Sequence, residues 1–144
     1  MQLAQRQFQA RAQRVGIGCG VLVVGGGNSA GQGAMHLARY AADVQIVVRR
    51  EGVRETMSQY LIDEIDYIPR IKVEACSRVI DGGGNGRLEW ISVEDINTGQ
   101  ATSRPAGGLF LLLGASPHCS WLPPDVALDE HGFVLTGRDV PKQR

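Results

Sequence analysis

The sequence predicts an α/β domain, a parallel sheet with helices on both faces and a small antiparallel β-meander inserted late in the chain. Three observations predict it. Residues 21–24 (VLVV) and 44–48 (VQIVV) are short, uninterrupted apolar runs rich in β-branched residues, the signature of strands buried on both faces. Each is followed by a stretch with apolar residues at helical spacing. The resulting β–α–β–α–β order is the one that builds a parallel sheet through crossover helices.

The elements follow in order. Residues 1–17 carry Arg6, Arg11 and Arg14 without an acid and read as a polar lead-in. The first strand runs directly into glycines, then into Asn28 and Ser29, both good helix N-caps. Ala30, Ala34, Leu37, Ala38 and Ala41 set the apolar spacing of a helix over 29–41. After the strand at 44–48, the pattern predicts a helix over 54–68. Met57, Tyr60, Leu61, Ile65 and Ile68 lie on one face, Asp63, Glu64 and Asp66 mostly on the other, and Pro69 ends it. Residues 71–75 read as a third strand. Residues 79–80 and 88–93 flank the glycine-rich stretch 81–86 and read as a hairpin with a long turn. Asn97-Thr98-Gly99 marks a second turn, leading to a short polar strand at 101–104. The run LFLLL at 109–113 reads as a central strand. Pro117, Pro123 and Pro124 then break regular structure, and 133–135 reads as a last short strand.

Composition removes several function classes. The chain has 144 residues, one domain on the prior of roughly 100–200 residues per domain. Fifteen Lys and Arg balance fifteen Asp and Glu, without the basic excess of a nucleic-acid binder. The apolar stretch 15–27 is too short to span a membrane, which takes about 20 residues. Three cysteines, at 19, 76 and 119, form no C-x-x-C and are too few for a disulfide scaffold, so the cytoplasm is the expected compartment.

Gly25-x-Gly27-x-x-Ala30 matches G-x-G-x-x-G/A between a predicted strand and a predicted helix, the context in which this pattern marks a dinucleotide site. Gly25 permits the tight turn. Gly27, lacking Cβ, lets the backbone approach a pyrophosphate, and Ala30 lets the helix pack close to the sheet. The first N–H groups of the helix, with its positive dipole end, face the anion. About 20 residues further on, an NAD site carries an acid for the ribose 2′-hydroxyl. Here Arg49 and Arg50 stand there, with Arg54 one turn later. Three guanidiniums suit a 2′-phosphate through bidentate, charge-assisted bonds. The competing reading is a solvated charged loop in which Arg54 pairs with Glu51 or Glu55.

GGGNSA at 25–30 followed by VVRREGVR at 47–54 resembles the NADPH-binding, Rossmann-like domain of thioredoxin reductase and related two-domain flavoproteins. The hairpin region at 76–104 resembles that domain's antiparallel excursion. GLFLLLGASP at 108–117 resembles its exit strand, and DEHGFV at 129–134 resembles the return to a flavin domain. The resemblance implies an NADP(H)-binding domain over 18–115 and the truncated start of the return to an FAD domain over 116–144. It implies that Gly25, Gly27, Asn28, Ser29 and Ala30 line the pyrophosphate. It further implies that Arg49, Arg50 and Arg54 hold the 2′-phosphate and that Gly114 lies near the nicotinamide half. In such an enzyme hydride passes from NADPH to FAD and on to a disulfide, and the family precedent is a homodimer.

No FAD fingerprint precedes Gly25, no dithiol C-x-x-C accompanies Cys19, and no FAD segment follows near residue 140. The expectation is therefore a chain that binds NADPH without catalysing by itself, with FAD held only in a complete enzyme or by a partner chain. Two other readings fit the same residues: a dithiol-free flavoprotein such as a ferredoxin–NADP reductase, and a stand-alone NADP-binding module. The terminal electron acceptor is not legible. Cys19 and Cys76 read as small packing residues. Cys119 beside His118 lacks a third ligand for a metal, His36 reads as a surface or packing residue of the first helix, and His131 reads as a turn residue.

Overall fold

The computed structural model describes residues 19–140; the expected lead-in at 1–17 lies outside the described residues. The chain divides into a first unit that ends at Leu113 and a second that begins at Gly114. The first unit contains β1 (Gly20–Val24), α1 (Asn28–Leu37), β2 (Asp43–Val47), α2 (Gln59–Tyr67) and β3 (Ile71–Glu74). It continues with β4 (Ser77–Gly83), β5 (Trp90–Asp95), β6 (Ala101–Pro105) and β7 (Gly108–Leu111).

Four strands form a parallel sheet in the order β3-β2-β1-β7, and β4-β5-β6 form a separate antiparallel sheet. Val21 pairs with Val44 on one side and Gly108 on the other, so β1 is hydrogen-bonded along both edges. Its apolar run is explained by burial on both faces as well: Val21 and Val23 are fully buried and Leu22 nearly so.

The two faces are covered differently. Val21, Val23, Val44, Ile46 and Ile71 join the buried residues of both helices, Ala30, Ala34, Leu37, Leu61, Ile62 and Ile65, in one core. Leu22 and Val47, pointing the other way, join Ile91, Val93 and Ala106 in a second core. The α/β class and the antiparallel meander are as expected, but helices on both faces are not what forms. Among the described residues both helices cover one face, and the antiparallel sheet covers the other. The handedness of the crossovers gives the reason. The steps β1 to β2 to β3 move in one direction, so two right-handed crossovers lay both helices on the same face. The step from β3 to β7 goes back past β1, and that reversal sends its connection, β4-β5-β6, over the opposite face.

The same topology corrects the run at 109–113. Residues 109–111 fall in β7, which among the described residues pairs only with β1 and is an edge strand, not a central one; Leu111 (59%) and Leu113 (70%) are exposed. Its partner faces remain apolar because Leu109 packs on one core and Phe110 and Leu112 on the other.

Helix boundaries moved for packing reasons. α1 ends at Leu37, and residues 38–41 continue as turns closed on the Leu37 carbonyl, which keeps Ala38 and Ala41 buried. Arg70 Nη1 donates to the Ala38 carbonyl at 3.2 Å, satisfying an acceptor that the helix end leaves open. α2 begins at Gln59, five residues later than the periodicity predicts. Residues 54–57 form a turn whose Met57 still reaches the core, and Ser58 is extended with φ −60° and ψ 140°. The late start moves the buried face to Leu61, Ile62 and Ile65 and leaves Tyr60 57% exposed. Gly31 on α1 makes the helix contact possible: a Cβ there would lie 2.9 Å from Met57 Sδ and 3.3 Å from Ile65 Cδ1.

The meander is held to the parallel sheet by an ion pair between Arg104 of β6 and Glu74 of β3, and Arg78 pairs with Glu94 across β4 and β5. A bulge between Val79 and Asp81 turns Ile80 outward. The expected long turn at 81–86 is shorter, since Asp81, Gly82 and Gly83 pair with β5.

In the second unit the expected strand at 133–135 reduces to a single bridge between Leu128 and Val134. A short 3₁₀ turn follows at Gly137–Asp139. Asp129 organises the turn between Leu128 and Val134, its Oδ1 accepting from the His131 and Phe133 N–H groups, each at 2.8 Å. The Phe133 N–H bond is the main cause that holds the Asp129 carboxyl below its ordinary value. A carboxyl depressed in the folded state adds stability above its unfolded pKa and loses it as pH falls through the folded one. An NMR titration is expected to give Asp129 a midpoint below the ordinary 3.8, with the His131 and Phe133 amide shifts moving alongside. A midpoint at or above that value would show that the turn does not bind the ionised form.

Candidate functional site: the glycine loop and the strap beside it

The candidate site is built from the carboxyl end of β1 outward. Gly25 N donates to the Val47 carbonyl at 3.2 Å, and Leu112 N donates to the Val24 carbonyl at 2.8 Å, so the chain leaves β1 wedged between its two neighbours. Gly25 has φ +141°, and a Cβ there would sit 2.3 Å from the Leu112 carbonyl oxygen. Both facts demand glycine. Gly26 is pinched as well: its Cβ would lie 3.3 Å from Val48 Cγ1 and 3.3 Å from Thr56 Oγ1. Gly27 is the open one, with only the Thr56 carbonyl within reach, at 3.9 Å.

Gly27 is the N-cap of α1, with no side-chain cap and no acid in the first turn. The N–H groups of Ala30 and Gly31 return to the Gly27 carbonyl, while the first N–H groups of any helix lack intrahelical partners. Asn28 and Ser29 are exposed there, and Ala30 is fully buried against the sheet. This is the electrostatic arrangement that favours an anion. It stands where the connections from β1 and to β7 part in opposite directions, the position at which open α/β sheets take ligands.

Arg49, Arg50 and Arg54 are all exposed. They follow Val48 at the carboxyl end of β2, beside the glycine loop. The Arg50 carbonyl accepts from Cys76 N at 2.8 Å and the Val48 carbonyl from Ser77 N at 2.9 Å, so the segment is fixed to the β3–β4 junction. Cys76 takes φ +49° to make that turn. Glu55 pairs with Arg50 at 3.3 Å, and not with Arg54 as the charged-loop reading has it. Both partners are mostly exposed, so the pair contributes little to stability. Gly114, with φ +99°, belongs to the second unit.

Residues 53–58 make contacts that the helical periodicity of the sequence does not show. Val53 and Met57 bury in the core while Thr56 Oγ1 donates to the Gly26 carbonyl at 2.6 Å. Ser58 N and Oγ both donate to Asn28 Oδ1, at 2.7 and 3.1 Å. The segment is a strap that ties the arginine-bearing turn to the glycine loop. Its only sequence signal is two hydroxyl residues flanking Met57, which the helical periodicity hid. Elsewhere, Cys19, Cys76 and Cys119 are free thiols, and no group of three or more His, Cys, Asp or Glu among the described residues could hold a metal. No helix among them is long and apolar enough to cross a membrane.

Residues 20–94 match the family described as pyridine nucleotide-disulphide oxidoreductase. The chain belongs to that family. Among curated relatives, NADPH-dependent thioredoxin reductase 3 of Arabidopsis thaliana is 36% identical over 115 residues, covering 78% of this chain and 21% of its own length. Thioredoxin reductase of Chlamydia pneumoniae is 28% identical over 120 residues, covering 83% of this chain and 38% of the relative. Among solved structures, thioredoxin reductase from Streptococcus pyogenes MGAS5005 superposes with TM-score 0.73 at 28% identity, over 85% of this chain and 40% of that one. Thioredoxin reductase from Giardia duodenalis gives 0.75 at 28% identity, over 92% and 42%. The chain thus spans between about a fifth and two fifths of the length of these relatives.

The Gly25 geometry makes a stability prediction. Gly25→Ala is expected to cost at least about 1–3 kcal/mol from backbone strain alone, with the contact on the Leu112 carbonyl adding to it. Urea denaturation should show a lowered midpoint at unchanged slope; an unchanged midpoint would mean that β1 leaves the sheet by another path.

Proposed function

We propose that this chain is the NADP(H)-binding domain of a thioredoxin reductase-like flavoprotein. The observation that carries the reading is the glycine loop at the end of β1, opening a helix whose first turn has neither side-chain cap nor acid, with an arginine-bearing segment beside it. Gly25, Gly27, Asn28, Ser29 and Ala30 would line the pyrophosphate. Arg49, Arg50 and Arg54 would hold the 2′-phosphate, and Gly114 would lie toward the nicotinamide. Family membership and the thioredoxin reductase relatives support the assignment.

The open space at Gly27 fits a close-approaching phosphate, and the exposed guanidiniums fit a dianionic 2′-phosphate. When bound, the nicotinamide supplies a hydride; the protein's own part is to bind and orient. The backbone N–H groups at the start of α1 would neutralise pyrophosphate charge without carrying a counter-ion of their own. The arginines would choose between phosphorylated and unphosphorylated ribose. On this reading the FAD and disulfide chemistry of the whole protein belongs to the part of the relatives that the chain does not span. The chain alone would bind NADPH and not turn it over.

Titration with NADPH and NADH at matched low salt tests the assignment. NADPH is expected to bind more tightly by roughly tenfold to a hundredfold, as one or two charge-assisted bonds allow. The Arg49→Ala, Arg50→Ala double variant should lose that preference while its NADH affinity stays put. Equal binding of the two cofactors by the unaltered chain would leave the arginines as a solvated loop.

A further inference from the structure

The strap at 53–58 does more than cover the core. We infer that Thr56 is a positioning residue of the dinucleotide site, and that Asn28, held by Ser58, is presented as a side-chain donor to the same anion. The inference rests on the NADP(H) reading above.

The Gly26–Gly27 peptide is the hinge of the loop. No peptide among the described residues is cis. In a planar trans peptide the C=O and the following N–H point in opposite directions. Thr56 Oγ1 holds the Gly26 carbonyl at 2.6 Å, so the Gly27 N–H is aimed away from the strap. Glycine peptides rotate readily, because both flanking residues lack Cβ. An unrestrained loop would let the Gly26 carbonyl swing toward a bound phosphate, where two negative oxygens repel. The Thr56 hydroxyl fixes the orientation that offers a donor instead of an acceptor.

Asn28 is settled by the same logic. A backbone N–H only donates, so the Asn28 atom that receives Ser58 N at 2.7 Å is its carbonyl oxygen. Ser58 Oγ reaches the same oxygen at 3.1 Å. The Asn28 NH₂, with two donors, is then left on the other side of an exposed residue at the first position of α1. The strap therefore turns a side chain that could present either end into one that presents donors. Both ties bridge 30 residues of sequence and join the arginine-bearing turn to the pyrophosphate loop.

The test uses two probes on the full chain. NADPH engages both the glycine loop and the arginines, whereas 2′-AMP carries the 2′-phosphate without a pyrophosphate. Thr56→Val, nearly isosteric and on an exposed residue, is expected to weaken NADPH about tenfold and leave 2′-AMP unchanged. Thr56→Ser should restore NADPH binding, which a merely structural methyl contact would not. Asn28→Asp keeps the acceptor for Ser58 and replaces the two donors with a negative charge, and is expected to lose NADPH affinity while its urea midpoint is held or raised, since an acid in the first turn of a helix is favourable. NADPH binding by the unaltered chain that both Thr56→Val and Asn28→Asp retain in full overturns this inference alone. Failure of the unaltered chain to bind NADPH overturns the NADP(H) reading and this inference with it.

Discussion

The fold depends on how the chain leaves β1. That strand is paired on both edges and buried on both faces, so it can end only in a gap between Val47 and the Leu112 carbonyl. No side chain fits there: Gly25 takes a left-handed φ and meets that carbonyl where a Cβ would be. The next two glycines continue the constraint outward, Gly26 pressed between Val48 and Thr56, Gly27 opening to solvent at the start of α1. The loop that closes over the central strand is thus the same one that leaves the start of α1 open, with Asn28 and Ser29 exposed.

Direction reversal at β1 shapes everything around it. Helices gather on one face because the first two crossovers run the same way, and the antiparallel meander occupies the other because the chain must return past β1 to place β7. The meander is therefore a structural layer with its own apolar core, tied to β3 through Arg104 and Glu74. It does the work on its face that a pair of helices would otherwise do.

Much of this was legible in the sequence. The β-branched runs gave the two central strands because burial on both faces leaves no polar alternation to confuse the signal. Gly25 and Ala30 announced a strand-to-helix turn that the structure reproduces. What escaped detection depended on tertiary partners. The run at 109–113 looks central because it is apolar on both sides, yet among the described residues β7 has a strand neighbour along only one edge. The helix predicted from residue 54 loses its first turn, since Val53 and Met57 anchor in the core while Thr56 and Ser58 bond to the glycine loop. Local periodicity counts Met57 as helical; only the packing shows it arriving from a turn. Tyr60, expected on the buried face, stands exposed, and Ile62 is buried instead. The hydroxyl ties were invisible because their partners lie 30 residues upstream.

The seam between α1 and α2 carries an evolutionary consequence. Gly31 and Met57 share one space: the methionine sulfur stands 2.9 Å from the position a side chain at 31 would claim. A lineage that acquires alanine at 31 would meet the tip of an unbranched, adaptable side chain, which can shift to admit it. A branched residue at 57 would lack that freedom and would hold glycine at 31. Because Met57 sits in the strap between Thr56 and Ser58, volume traded across that seam would be felt in the glycine loop. Change in the hydrophobic interior is thereby disciplined by the chemistry at the surface.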